Sequence, residues 1–276
     1  MLFDLGSGRK KNVVRVVYGI LALLFTVGFI GFGIGTDFGG GGLADIFTGG
    51  GSDEVDSQLS DDADDVQEQL DADPRNENLL LDLVGARYSA GNSLVEIDEE
   101  TGQQQITEQA KEQYEGAVDA WDRYLKLNPA EPNASAASFA VSSFTVLAQA
   151  AQSATEASAN FKAAADAQQI LADARPSVGT LSNLAYYNYA ALNFKEGDAA
   201  AKRAAAAAAN EKAAKRVSEQ LKTIRVQAKA FETQQETVEN AGATGAQGDE
   251  ALENPLGGLS GGGTGSPGGL SPSLTP

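Results

Sequence analysis

The sequence predicts an all-α fold: about three helical hairpins and a capping helix, preceded by a single transmembrane helix. Three observations predict it. Apolar residues recur at three- and four-residue spacing between residues 57 and 235, the period of a helix with one buried face. Twenty residues from Val16 to Gly35 carry no charge. The chain has neither Cys nor His, which removes thiolate chemistry, disulfides, His metal sites and imidazole acid/base catalysis. No enzymatic activity, cofactor or metal is therefore expected, and a net charge of −18 makes nucleic acid an unsuitable partner.

The uncharged run comes first. As a helix it is about 30 Å long, the thickness of a bilayer's hydrocarbon core. Arg9, Lys10, Lys11 and Arg15 precede it, and the next base is Arg75. The positive-inside rule then leaves residues 1–14 as a basic cytoplasmic tail and takes the rest of the chain across. A cleavable signal peptide has the same charge order. Residues 15–35 are longer than a usual signal core, and no small-x-small cleavage site follows. An uncleaved single-pass anchor in a cell membrane is the expectation. Gly31 and Gly35 form a small-xxx-small pair for membrane-helix packing.

Residues 36–56 are a Gly-rich linker, and residues 57–235 the helical domain. Asp53 to Asp73 hold ten acids and no base. "DDADDVQEQLDAD" lacks the ligand spacing and turn glycine of a calcium loop, so a solvated helix face is the better reading. Leu59, Ala63, Val66 and Leu70 form its apolar stripe, with Ser60 as the N-cap. Leu80, Leu83, Ala86 and Tyr88 mark a next helix stopping at Gly91. In "YEGAVDAWDRYLKLNP", Tyr114, Ala117, Val118, Trp121, Tyr124, Leu125 and Leu127 give another apolar face, ended by Pro129. Ala117 and Ala120 are small where helices approach closely, and Trp121 fills a neighbouring gap.

"LLLDLVGARYSAGN" followed by "YEGAVDAWDRYLKLNP", closed by Asn128 and Pro129, resembles the tetratricopeptide repeat (TPR) family. "NFKAAADAQQILADARP" repeats the spacing, with Phe161, Ala164, Ala167, Gln168, Leu171 and Pro176 at the positions of Tyr114, Ala117, Ala120, Trp121, Tyr124 and Pro129. Pro74, Pro129 and Pro176 are 55 and 47 residues apart, against a repeat period of about 34. The first excess falls in a polar loop at "SLVEIDEETGQQQITEQAK", and the second lengthens both helices around "AQAAQSATEASAN". A third unit has Leu181, Leu184, Ala185, Tyr189 and Leu192 on its first helix, ended by Gly197. Val217, Leu221, Ile224, Ala228 and Phe231 stripe a capping helix.

The resemblance implies an α-solenoid whose first helices line a groove for a protein or peptide partner. Carried over, Asn78, Leu81, Asp82, Tyr88 and Ser89 face that groove, with Tyr186 and Tyr187 as further contacts. Asp82 stands where the family's carboxylate clamps use Asn or a base, so a C-terminal carboxylate is not the expected ligand. Resemblance to anchored TPR proteins implies a scaffold on the extracytoplasmic side of a bacterial membrane. An ancillary chaperone or assembly factor near the secretion translocon is the alternative, and a structural homo-oligomer or a groove enzyme using Tyr, Lys or carboxylates are further ones.

Charge adds one inference of its own. Residues 202–229 hold eight bases against two acids, among them the basic patch Lys212, Lys215, Arg216, Lys222, Arg225 and Lys229. An acidic partner, the acidic end of another copy, or anionic lipid is the candidate for this end. Residues 236–276 read as a disordered Gly/Ser/Pro tail. Gly258, Ser260 and Gly262 mimic a nucleophile elbow, and Ser7 with Lys10 mimics S-x-x-K. Neither has the strand and helix context that such chemistry needs.

Overall fold

The computed structural model describes residues 53–97 and 104–243. The chain divides into two compact units, Met1–Thr233 and Gln234–Pro276. The described part of the second, residues 234–243, is helical. Eight helices are present among the described residues: α1 (Asp53–Ala72), α2 (Glu77–Ser93), α3 (Glu108–Lys126), α4 (Ala134–Ala150), α5 (Ala154–Ala174), α6 (Val178–Ala190), α7 (Phe194–Ala206) and α8 (Glu211–Ala243). Two short strands, β1 (Val95–Ile97) and β2 (Gln104–Ile106), pair antiparallel between α2 and α3 with Val95 opposite Ile106.

The membrane expectation is corrected. Among the described residues no helix is long and apolar enough to cross a membrane, and the anticipated span over residues 15–35, with Gly31 and Gly35, lies outside them. What the structure supports is an all-α bundle. It gives no support to a transmembrane helix, a single-pass topology, a membrane localisation, the membrane as a partner, or an extracytoplasmic scaffold or chaperone role built on them.

Five helix starts, those of α2 to α6, have a local cause. Asn76, Thr107, Asn133, Ser153 and Ser177 precede α2 to α6, and each side chain accepts a hydrogen bond from a first-turn backbone N–H. Such caps satisfy donors that have no partner within the helix. Ser177 and Thr180 complete a reciprocal capping box. Thr107 also donates to the Leu94 carbonyl at 3.0 Å, fastening the base of the strand pair to α3. Ser60, expected as a cap, lies inside α1.

Consecutive helices pack on one another from α1 to α7, and α2 also meets α4. The stripe of α1 faces inward, with Ala63 and Leu70 buried. Trp121, 1% exposed, sits with Leu70, Leu80, Leu83, Val84 and Tyr124 in the largest cluster. A second cluster joins Leu181, Leu184, Ala185 and Tyr189 of α6 to Ala200 and Ala204 of α7 and to Leu221, Ile224 and Ala228 of α8. Gln168, where the repeat spacing places a counterpart of Trp121, is buried and donates to the Thr180 carbonyl at 3.0 Å. Its amide thus has the partner that burial demands.

Two glycines are used otherwise than the sequence suggests. Gly91 lies within α2, where an added Cβ would stand 2.9 Å from the Tyr114 ring. Gly197 lies within α7, where a Cβ would meet the Tyr189 ring at 2.5 Å. Neither ends its helix: each is a notch that admits a tyrosine from the paired helix. The ends are made by other residues. Asn128 and Leu192 take the left-handed conformation, φ 56° and 62°. After α6, Asn193 N–H bonds the Asn188 carbonyl at 2.7 Å and Leu192 N–H the Tyr189 carbonyl at 3.0 Å. That is the Schellman pattern, with leucine in a place that glycine usually takes.

Arg87 ties the first three helices together. Its guanidinium reaches Asp64 of α1 at 2.8 Å and donates to Gln113 of α3 at 2.9 Å. The aliphatic stem passes over Gly116, where a Cβ would be 3.2 Å from Cδ.

Candidate interaction surface

Charge divides the helices of the hairpins unevenly. The first helices of the second and third hairpins, α4 and α6, contain no Asp, Glu, Lys or Arg. Their hairpin partners α5 and α7 carry several, as do α2 and α3 of the first hairpin. Burial explains part of this, since α4 lies between neighbours and has ten buried residues. What α4 leaves accessible is still uncharged: Ser135 and Gln149 are exposed, and Ser138, Phe139 and Ser142 are half-buried.

On α2, Asn78 and Asp82 are exposed and Leu81, Gly85 and Ser89 half-buried. Spacings of three and four put them on one side of the helix. That side adjoins α4 through Phe139, whose ring lies 3.5 Å from a Cβ built on Gly85 and stacks on Tyr88 at 5.1 Å. The combined α2/α4 face is lined by Asn78, Asp82, Ser89, Ser135, Ser138 and Ser142. Ser89, Ser138 and Ser142 donate to carbonyls of their own helices at 2.9, 2.7 and 3.1 Å. Their oxygen lone pairs remain as acceptors.

The tyrosines assigned to the groove are placed differently from one another. Tyr88 and Tyr187 are each 6% exposed and belong to the core. Tyr187 hydroxyl lies 3.2 Å from that of Thr145. Tyr186 is half-buried, edge-on to Phe161 at 6.4 Å and beside Tyr187 at 5.1 Å. Of these contacts, that between Tyr187 and Thr145 joins the two uncharged helices α6 and α4.

Burial pushes the phenols of Tyr114, Tyr186, Tyr187 and Tyr189 above their ordinary value of 10.0. A group whose folded pKa is raised contributes stability that is complete below its unfolded value and is lost as pH climbs toward the folded one. The chain should therefore unfold cooperatively above about pH 10, and phenolate absorbance should rise together with loss of helical circular dichroism. Phenolate formation well before the helices melt would show that the rings are open to water.

The basic patch splits in two. Arg225 Nε bonds Asp198 at 2.7 Å, and Asp198 also accepts from the Tyr189 hydroxyl at 2.9 Å. The Arg225 hydrogen bond, then that from Tyr189, holds this carboxyl below the usual carboxylate range, against the effect of desolvation. Lys229 lies 4.3 Å above the centre of the Phe194 ring and 2.6 Å from Glu232. These two cations fasten α8 to α7. Lys212, Lys215, Arg216 and Lys222 are exposed. Among the described residues Lys215 reaches only Glu219, at 3.9 Å, and the other three form no ion pair.

Among the described residues no three acidic, His or Cys side chains come together to hold a metal. A notch lined by Ala157, Phe161, Tyr189, Leu192, Ala228 and Phe231 is apolar. It is too small to enclose a substrate. Comparison with protein-family models, with curated proteins and with solved structures finds no match for this chain.

Proposed function

We propose that the domain is a protein-binding module of TPR type, in which the α2/α4 face receives a partner polypeptide and no reaction is catalysed. One observation carries this reading. In a chain with 21% charged residues, α4 carries none, and the face it forms with α2 is lined mainly by hydroxyls and amides, with Asp82 as its charge and Leu81 and Phe139 half-buried. Helix surfaces that serve only solubility are filled with charges, as α3 is. Serine and asparagine offer adaptable acceptors and donors to a backbone, with little desolvation cost compared with ions. Asp82 adds one negative charge, favouring a partner segment with a base nearby.

The test places photoreactive side chains at Asn78, Ser135 and Ser142, with controls at the exposed Glu112 and Glu115 of α3, and crosslinks in native cells. The expected result is one shared partner at the three face positions, absent at the controls and weakened by Asp82→Lys. Adducts of the same identity and yield from α3 would overturn the assignment of this face.

A further inference from the structure

The first and last described helices present opposite charges on the sides they leave unpacked. On α1, Asp61, Asp65 and Glu68 recur at spacings of four and three, opposite the buried Ala63 and Leu70, and all three are exposed. Asp62 and Asp71 flank them, also exposed, and α1 contains no base. Arg87 of α2 neutralises Asp64 alone. On α8, Leu221, Ile224 and Ala228 face the core. The opposite side carries Lys212, Lys215, Arg216 and Lys222, with Val226, 59% exposed, on the same side.

We propose that this chain associates with itself head to tail, the basic outer face of α8 in one copy docking on the acidic outer face of α1 in the next. The occupant is chosen by complementarity. The α1 face is acidic throughout, the α8 face carries these four bases against the acid Glu219, and each copy brings one of each. Four cations without strong partners meet a ridge of carboxylates whose mutual repulsion the contact relieves. Such pairing is heterologous, since it uses two different surfaces, so each added copy leaves one face of each kind free. Chains of copies are expected rather than a closed dimer.

The net charge of −18 opposes this at long range. Screening separates the two effects. At about 0.1 M salt the Debye length is about 10 Å, so charges in contact still attract while more distant acids are largely hidden. At about 1 M salt it is about 3 Å, and the contact itself weakens. The inference is independent of the partner face on α2 and α4, which shares none of these residues.

The test is sedimentation of the full chain at both salt concentrations, with two variants checked for native helix content. One carries Lys212→Glu, Lys215→Glu, Arg216→Glu and Lys222→Glu; the other carries Asp61→Lys, Asp65→Lys and Glu68→Lys. The unaltered chain should associate with rising concentration at about 0.1 M salt, at least about tenfold more tightly than at about 1 M. Either variant alone should stay monomeric. An equimolar mixture should associate again, because the reversed α8 of one variant matches the reversed α1 of the other. A chain that is monomeric throughout would overturn the proposal and turn the α8 face toward an acidic partner of another kind. Association that ignores both reversals, or a mixture that fails to associate, would also overturn it.

Discussion

Trp121→Ala is expected to cost the domain about 3–5 kcal/mol of folding stability, the range for removing a fully buried large aromatic. The side chain is 1% exposed and touches the cluster that unites α1, α2, α3 and α4. Tyr124 packs against it at 5.4 Å, and that ring cannot swing in to fill the space, because its hydroxyl accepts a hydrogen bond from Asn133 N–H at 2.8 Å. Ala117 and Ala120, both fully buried, are too small to compensate. A domain of ordinary stability has about 5–15 kcal/mol in all, so a large part of the margin would go. Trp121 is the only tryptophan, so unfolding in urea should be followed by circular dichroism rather than by intrinsic fluorescence. Trp121→Phe should lose clearly less, and a change within about 0.5 kcal/mol for Trp121→Ala would mean that the cluster is not packed as described.

Gly197→Ala is expected to destabilise by about 1–3 kcal/mol, the usual cost of overpacking. In an ordinary helix interior the same change stabilises by about 1 kcal/mol. The sign turns on one contact, the Tyr189 ring atoms 2.5 and 2.6 Å from the new Cβ. The ring is tethered where it lies. Tyr189 is 2% exposed, its hydroxyl is bonded to Asp198, and Phe194 lies at 6.3 Å. Any displacement pulls at Asp198, and through it at Arg225 of α8. A double-mutant cycle isolates this coupling. In a Tyr189→Leu background Gly197→Ala should be neutral or stabilising. Should it stabilise the unaltered chain as well, the glycine is not serving as a notch.

How much of this was legible depended on what each residue type can do. Stripes such as Leu59, Ala63, Val66 and Leu70, or Leu221, Ile224 and Ala228, were readable because a single periodicity fixes which face is buried. The correspondence of Phe161 with Tyr114 placed α5 for the same reason. Glycine was ambiguous. A missing side chain serves a left-handed helix end and a close approach equally well, so Gly91 and Gly197 read as stops although both lie inside helices. The real stop after α6 uses Leu192 at positive φ, which no propensity scale would suggest. Strands β1 and β2 are three residues each, too short for alternation to register. Of the residues that the resemblance assigned to a groove, Asn78 and Asp82 are exposed, whereas Tyr88 and Tyr187 are core residues. A tyrosine beside a stripe satisfies the pattern of either place, and only Phe139 and Thr145, distant in sequence, decide between them.

The order in which helices meet also bears on how the chain reaches this state. Nearly every helix contact joins neighbours in the sequence, and the one substantial skip, between α2 and α4, spans a single helix. Contacts so local need little loop closure before they are rewarded, which places the domain among rapidly folding topologies. Hairpins joined in this way also behave as a row of coupled segments, each stabilised mainly by the next. Amide protection should then fall from the interior helices toward a fraying first helix, to which Arg87 adds an ion pair at Asp64, so that loss of α1 leaves the helices beyond it standing.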